Sequence, residues 1–503
     1  MNPSDPIPSG KLTRREFLAT AAAAGTMLLA GPSLLAQTVS SAVAPASARK
    51  KRYVLVGVGS RARMYSQAIL NTYADYCQMV GYCDVNRGRL KLAQDKARAM
   101  AGVDVPVFDA KDFDRMIRET KPDVVIVTTK DGAHDQYIIR AMQLGCDVIS
   151  EKPMTTDEKK CRAILDAQAK TGRNCTVTFN YRYSPHRTQI KDLLMSGVIG
   201  DVLSVDFHWM LDTVHGADYF RRWHSHKADS GGLMVHKSTH HFDLVNWWLS
   251  AVPVSVMATG KRQFYTPRMA KRLGLKHAHR RCYTCPEKNL CAFYLDLAAN
   301  PNFKELYLDH EKHDGYYRDR CVWRLDIDIE DTMNVLVRYN TGATLCYSLN
   351  AFNAWEGYVI VFNGTKGRIE HKMEEKVTLA GDGSVPGAVK AEGTYIRIYP
   401  LRAPAYEVPL WPAGEGGHAG GDKLMLDDLF LPEKRADKYL RASDQRAGAY
   451  SILTGIAANH SFSSGDAVKI ADLVPRIPLP DFPPMPTRDA KVPMPPRAQS
   501  TAA

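Results

Sequence analysis

The segment "YVLVGVGSRA" (53–62) limits the fold more than any other part of the chain. An apolar run of β type breaks at Gly57-x-Gly59-x-x-Ala62 and opens into a helical pattern. Glycines at those positions let the backbone turn tightly and approach a pyrophosphate at the start of a helix, which favours a dinucleotide-binding unit over a bare turn. The rhythm then repeats. "QMVGYCD" (78–84), "VPVF" (105–108), "DVVIVTT" (123–129), "DVIS" (147–150) and "CTVTFN" (175–180) are short apolar runs, separated by helix-patterned stretches starting near Arg61, Arg87, Lys111, His134 and Asp157. Such alternation belongs to a parallel sheet covered on both faces. The expectation is an α/β chain with a Rossmann domain over 49–180 that binds nucleotide through Gly57, Gly59, Ser60, Arg61 and Ala62. Asp84 ends the second run, where a carboxylate accepts a ribose hydroxyl, so NAD is expected. Arg61 and Arg87 stand near enough in sequence to make NADP the alternative.

Residues 1–48 read as an export signal and linker. Arg14-Arg15, followed by Phe17-Leu18 and an Ala-rich apolar run to Gly31, resembles a twin-arginine signal, with small-residue cleavage points such as those after Ala36 or Ala44. The run is too short for a spanning helix, and no other long apolar segment follows. A periplasmic protein, carried folded by the twin-arginine machinery, is therefore expected. The formal charge of +12 would suit nucleic acid, but export makes that partner implausible. About 455 residues remain after the signal, enough for two or three domains. The Pro-rich end (471–503) cannot form a helix or a central strand and reads as an extended arm or a tail.

"VTTKDGAHDQYIIRAMQLGCDVISEKPM" (127–154) resembles the glucose–fructose oxidoreductase / inositol dehydrogenase / MocA family (Gfo/Idh/MocA) at Thr129, His134 and Glu151-Lys152-Pro153. "FNYRYSPHRTQIKDLLMSGVIGDVLSVDF" (179–207) looks like that family's entry into its second domain. The resemblance implies a C-terminal α+β domain with an open, mostly antiparallel sheet over 181–470, carrying a Cys-containing insertion at about 262–325. It implies a dimer or tetramer by analogy. It also implies that Lys152 lies beside the nicotinamide and the reacting hydroxyl, with Thr129, His134 and Glu151 on the cofactor side.

"HKSTHH" (236–241) sits in a helix expected from about Leu233. At 100° per residue His236, His240, Asp243 and Trp247 share one face, while Phe242, Val245 and Leu249 form an apolar face and Lys237 and His241 a flank. The family usually has an Asp four residues before the active-site His. Here His240 falls on that His, and His236 falls where the Asp is expected. Two uses fit: a proton relay through His240 with His236 or Lys237, or a divalent metal on His236 and His240 with a distant ligand such as His208, His215 or His418. Tyr181, Arg182, Asp243 and His418 are candidate substrate contacts, and "DYFRRWHSHK" (218–227) mixes aromatics and cations as sugar sites do.

Cys77, Cys83, Cys146, Cys161, Cys175 and Cys346 read as small buried residues. Cys282, Cys285, Cys291 and Cys321 read as disulfides, a structural zinc site or free thiols. The expected activity is hydride transfer between a tightly bound nicotinamide and a sugar, glycoside or cyclitol. A redox-neutral NAD-dependent glycosidase and a non-catalytic sugar-binding protein are the alternatives. The cofactor clamp is expected at Arg61 or Arg87, or in residues 37–52 or 475–496.

Overall fold

In the computed structural model, Val54 and Val56 point to one side of the first strand and Tyr53 and Leu55 to the other. All four are at most 1% exposed, because helices cover both faces. The structure describes residues 49–276, 279–378, 392–414, 417, 420–434, 436–486 and 489–497. The expected export signal and His418 lie outside them. The first strand, β1 (Lys51–Val56), belongs to an all-parallel sheet with β2 (Cys77–Asp84), β3 (Val107–Asp109), β4 (Val124–Val127), β5 (Asp147–Ser150) and β6 (Cys175–Val177). Its order is β3-β2-β1-β4-β5-β6. The order reverses between β1 and β4, the point at which such sheets open a ligand crevice beyond their strand ends.

The second sheet has nine strands: β7 (Val202–Asp212), β8 (Pro253–Lys261), β9 (Thr332–Tyr339), β10 (Thr344–Asn353), β11 (Glu356–Gly364), β12 (Gly367–Lys376), β13 (Tyr395–Pro400), β14 (Tyr406–Glu407) and β15 (Val468–Lys469). They run β14-β13-β12-β11-β7-β10-β9-β8-β15. Neighbours are antiparallel except β7 and β10. Alternation decides the faces. Phe207, Trp209 and Leu211 are fully buried against helices, whereas Leu203, Met257 and Leu336 are exposed on the open side. Cys346 falls on that open side and is exposed, not buried as its apolar neighbours suggested. Leu345 and Tyr347 take the covered face instead.

The Gln445–Ser464 helix ties the two halves together. Gly448 packs against Val177 and Met154 of the nucleotide domain, and Gly455 lies so close to Met234 that a Cβ would sit 2.2 Å from its carbonyl oxygen. A second return crossing is the Gly421–Phe430 helix, whose Phe430 meets Tyr53 edge-on at 5.3 Å. The insertion leaves between β8 and β9 and closes on itself through an Arg281–Arg320 bridge. Its cysteines form no disulfide. Among the described residues no group of three or more His, Cys, Asp or Glu side chains is arranged to hold a metal ion. The described part of the Pro-rich end runs as an extended arm over the second domain, its Ile477 and Pro483 carbonyls accepting from Tyr450 and Ser250. Among the described residues no helix is long and apolar enough to cross a membrane.

Candidate active site

A cleft of about 1140 Å³ opens at the β1/β4 switch point. Its upper wall is the glycine turn. Gly57 has φ +86°, and a Cβ there would lie 2.7 Å from the Thr129 amide nitrogen, so no other residue fits. A Cβ on Gly59 would meet no atom within 4 Å. The space beyond Gly59 is open cradle, the shape a pyrophosphate needs. Asp84 fixes this turn by accepting from the Val58 and Asn86 amides, each at 2.7 Å. Ser60, Arg61, Thr129, His134 and Glu151 also line the cleft. Ala62 does not; it is buried in the first turn of its helix. Arg61 donates to Glu151 (2.6 Å) and reaches Asp422 (3.5 Å), and Tyr65 donates to Glu151 at 2.7 Å. Burial works against charge on Glu151, but Arg61 and the Tyr65 hydroxyl hold its carboxyl below the usual range. The His134 ring lies between the Pro153 carbonyl (2.8 Å) and the Thr129 carbonyl (3.2 Å), placing the turn that follows Lys152 beside the end of β4.

Of the two arginines expected near the nucleotide, Arg61 lines the cleft and Arg87 does not. Arg87 has a 74% exposed side chain and faces Asp109, outside the cleft. Arg89 takes the inner position, 3.5 Å from Asp84 and ion-paired with Asp314 of the insertion. Asn86 donates to the His310 carbonyl at 2.9 Å. Residues 314–317 thus form one wall of the nucleotide end; residues 37–48 of the expected N-terminal clamp lie outside the described residues.

At the other end Lys152 donates to the His236 carbonyl at 2.8 Å. Burial lowers its pKa to about 8, although Asp131 and Glu151 pull the other way. His240 lines the cleft, its ring stacked on Tyr181 at 4.0 Å. Lys237 donates to the Tyr181 hydroxyl at 3.0 Å and lies over the Trp209 ring at 4.8 Å. These groups stand at one place because the expected continuous helix is broken. Leu233–His236 and Thr239–Leu249 are separate helices joined at Lys237-Ser238. The second helix is buried on every side, so it has no polar face.

That burial redistributes the histidines. His236 lines the cleft and meets Asp131. His241 is entirely buried, stacked on Trp209 at 3.9 Å and bonded to the Tyr347 hydroxyl at 2.6 Å. It belongs to the core. Asp243 does not face substrate either. It accepts both arms of Arg182 at 2.6 and 2.8 Å, and both side chains are at most 2% exposed. A bidentate pair this deep is a structural support, because neither charge can be left alone there. His208 lies exposed on the open sheet face, bonded to Ser348. His215 borders the cleft but is held by Glu356 at 2.6 Å. The metal reading of His236 and His240 therefore lacks a converging third ligand among the described residues.

Sequence reasoning missed Asp131, which no local pattern marks and which meets His236 only through the fold. It gave "DYFRRWHSHK" little weight, yet Tyr219, Arg222, Trp223, His224 and His226 of that stretch all line the cleft. Their mixture of aromatics and cations was the available signal.

Residues 51–179 match the family model described as "Oxidoreductase family, NAD-binding Rossmann fold", and 191–470 match the one described as "Oxidoreductase family, C-terminal alpha/beta domain". The chain is 38% identical over 413 residues to YteT of Bacillus subtilis (strain 168), whose name as an oxidoreductase is itself provisional. That match covers 80% of this chain and 94% of the relative. It is 25% identical over 203 residues, 40% of this chain and 53% of the relative, to an inositol 2-dehydrogenase/D-chiro-inositol 3-dehydrogenase of Lactiplantibacillus plantarum. In fold it resembles an aldose–aldose oxidoreductase from Caulobacter crescentus complexed with glycerol (TM-score 0.54, 17% identity, 84% of this chain and 100% of that one).

Proposed function

Because this chain belongs to the Gfo/Idh/MocA family of NAD(P)-dependent oxidoreductases, we propose that it is an exported enzyme that oxidises a hydroxyl of a sugar, glycoside or cyclitol with a tightly held NAD. The observation that carries the reading is one continuous cleft with the Gly57–Gly59 cradle at one end and Lys152, His240, Tyr181 and Lys237 at the other. When bound, the nicotinamide supplies the hydride acceptor. The Gly59 cradle, Asp84, Arg61 and Thr129 would hold the dinucleotide. The chain's own work is on the proton. A Lys152 amine with pKa about 8 can take the proton of a substrate hydroxyl near neutral pH and return it, and His240 beside it can share or pass it on. NAD is favoured over NADP because Arg87 turns away to Asp109, while Arg89 is already engaged by Asp314.

Export rests on Arg14-Arg15 and the apolar run behind them. Outside the cytoplasm free nucleotide is too dilute to rebind, so release must be slow. The contacts from Arg89 and Asn86 to the insertion support that reading. The test is purified, dialysed full-length protein, denatured by acid. Close to one nicotinamide dinucleotide per chain should be released, and the native protein offered sugars and glycosides should yield a keto-sugar. Free sugar from a glycoside would mean the glycosidase instead. Empty protein that turns over only on added NAD would refute the internal cofactor. Cell fractionation of the wild type and an Arg14→Lys/Arg15→Lys variant tests export.

A further inference from the structure

The substrate end of the cleft carries more positive charge than the proton chemistry uses. Lys237 is 5% exposed, yet among the described residues no carboxylate lies within ion-pair distance of its ammonium. Among the described residues its one hydrogen bond is to the Tyr181 hydroxyl, and it lies over the Trp209 ring at 4.8 Å and the Tyr181 ring at 5.5 Å. A hydroxyl and a ring face soften the cost of burying an ammonium but do not neutralise it. The nearest acid on that side, Glu375, is drawn to Arg187 at 3.4 Å. Arg222 does not have a counter-ion to itself either, because Asp218 is shared between it (3.0 Å) and Arg318 (2.6 Å). Lys152 stands close enough to Lys237 for the second ammonium to lower its pKa. Burial opposes charge on Lys237, but the surrounding Tyr181, Tyr219 and Glu375 outweigh it and hold the pKa above the ordinary lysine value. The ammonium therefore stays charged at neutral pH.

A buried cation that faces a cleft, with no carboxylate at ion-pair distance among the described residues, is a site for an anion brought by the ligand. We propose that Lys237 receives a carboxylate of the substrate, so that the enzyme prefers sugar acids such as hexuronates to neutral sugars. This rests on the oxidoreductase reading above and specifies its substrate class. The geometry suits it. Lys237 bonds to Tyr181, whose ring stacks on His240, so an anchored carboxylate would lie within one sugar ring of the hydroxyl handled by His240 and Lys152.

The experiment compares D-galacturonate and D-glucuronate with D-galactose and D-glucose on the holoenzyme, by calorimetric binding and by nicotinamide reduction. The uronates should win in kcat/KM by about 100-fold, the size expected for a desolvated charge pair. Lys237→Met should cut that discrimination by a similar factor, chiefly through KM. If that variant fails to fold, the wild-type preference alone decides. Neutral sugars oxidised as well as uronates would overturn the proposal and leave the oxidoreductase reading standing. Uronates that bind through Lys237 without any reduction would do the reverse. Neither binding nor reduction by any of the four would remove both.

Discussion

Asp131 and His236, 105 residues apart, meet at 2.5 Å between Oδ2 and Nδ1 at the floor of the cleft. Burial raises the Asp131 carboxyl well above the carboxylate range and lowers the imidazole well below its own. Both shifts, each caused by burial, disfavour separated charges on the pair. The nucleotide domain thus supplies, from β4's loop, the acid that the helix lacks at position 236. We expect Asp131→Asn to lower kcat/KM about tenfold, as loss of an orienting partner does. His240→Ala should cost about 100-fold or more. Chelator should change neither wild type nor variant. Equal loss in all three treatments would restore the metal reading.

Lys152 should impose a pH dependence. Only the neutral amine can accept the hydroxyl proton, and its pKa is about 8. Turnover in the oxidation direction should therefore rise with pH through about 8 and fall away below it. Lys152→Met should bind nucleotide, lose about 100-fold or more in rate and lose the rise. A wild-type profile flat from pH 6 to 9 would count against Lys152 as the base.

The two glycines of the turn should fail differently. Gly57→Ala places a Cβ against the Thr129 amide in a left-handed backbone, and should be poorly folded. Gly59→Ala adds a Cβ that meets no atom of the protein within 4 Å and projects into the cradle. It should melt within a few degrees of wild type yet emerge from purification without nucleotide, as absorbance at 260 nm will report.

The Arg182–Asp243 pair should show up in stability. Asp243→Ala leaves a buried guanidinium alone, a loss of about 3–5 kcal/mol, readable as a lower denaturation midpoint. Whatever protein remains folded should keep its KM. A raised KM at unchanged stability would return Asp243 to the substrate contacts.

Asp314→Ala should speed nucleotide release by about tenfold, equivalent to about 1.4 kcal/mol, because it frees Arg89 and loosens the wall built by the insertion. Fluorescence of bound reduced nucleotide during dilution measures it. Unchanged release would mean that the insertion merely borders the cleft.

The sequence by itself determined what depends on neighbours along the chain. Short continuous apolar runs, the spacing of Gly57 and Gly59 and the strand end at Asp84 are local signals, since backbone geometry ties them to positions a few residues apart, and the Glu-Lys-Pro run is a local resemblance to a family. They were enough to identify the parallel sheet and the glycine turn after β1, and to single out Lys152 beyond the end of β5. Tertiary structure decided everything that hangs on burial and on long-range meetings. "HKSTHH" reads as an amphipathic helix only if one side is wet. In the fold a buried helix is enclosed by the second sheet and the Gln445–Ser464 helix, which sends His241 and Asp243 into the core and leaves His236, Lys237 and His240 facing the cleft. Asp131 finds His236, and Asp314 finds Arg89, across separations that no periodicity records. Which charges in this chain neutralise one another is settled only where the elements pack.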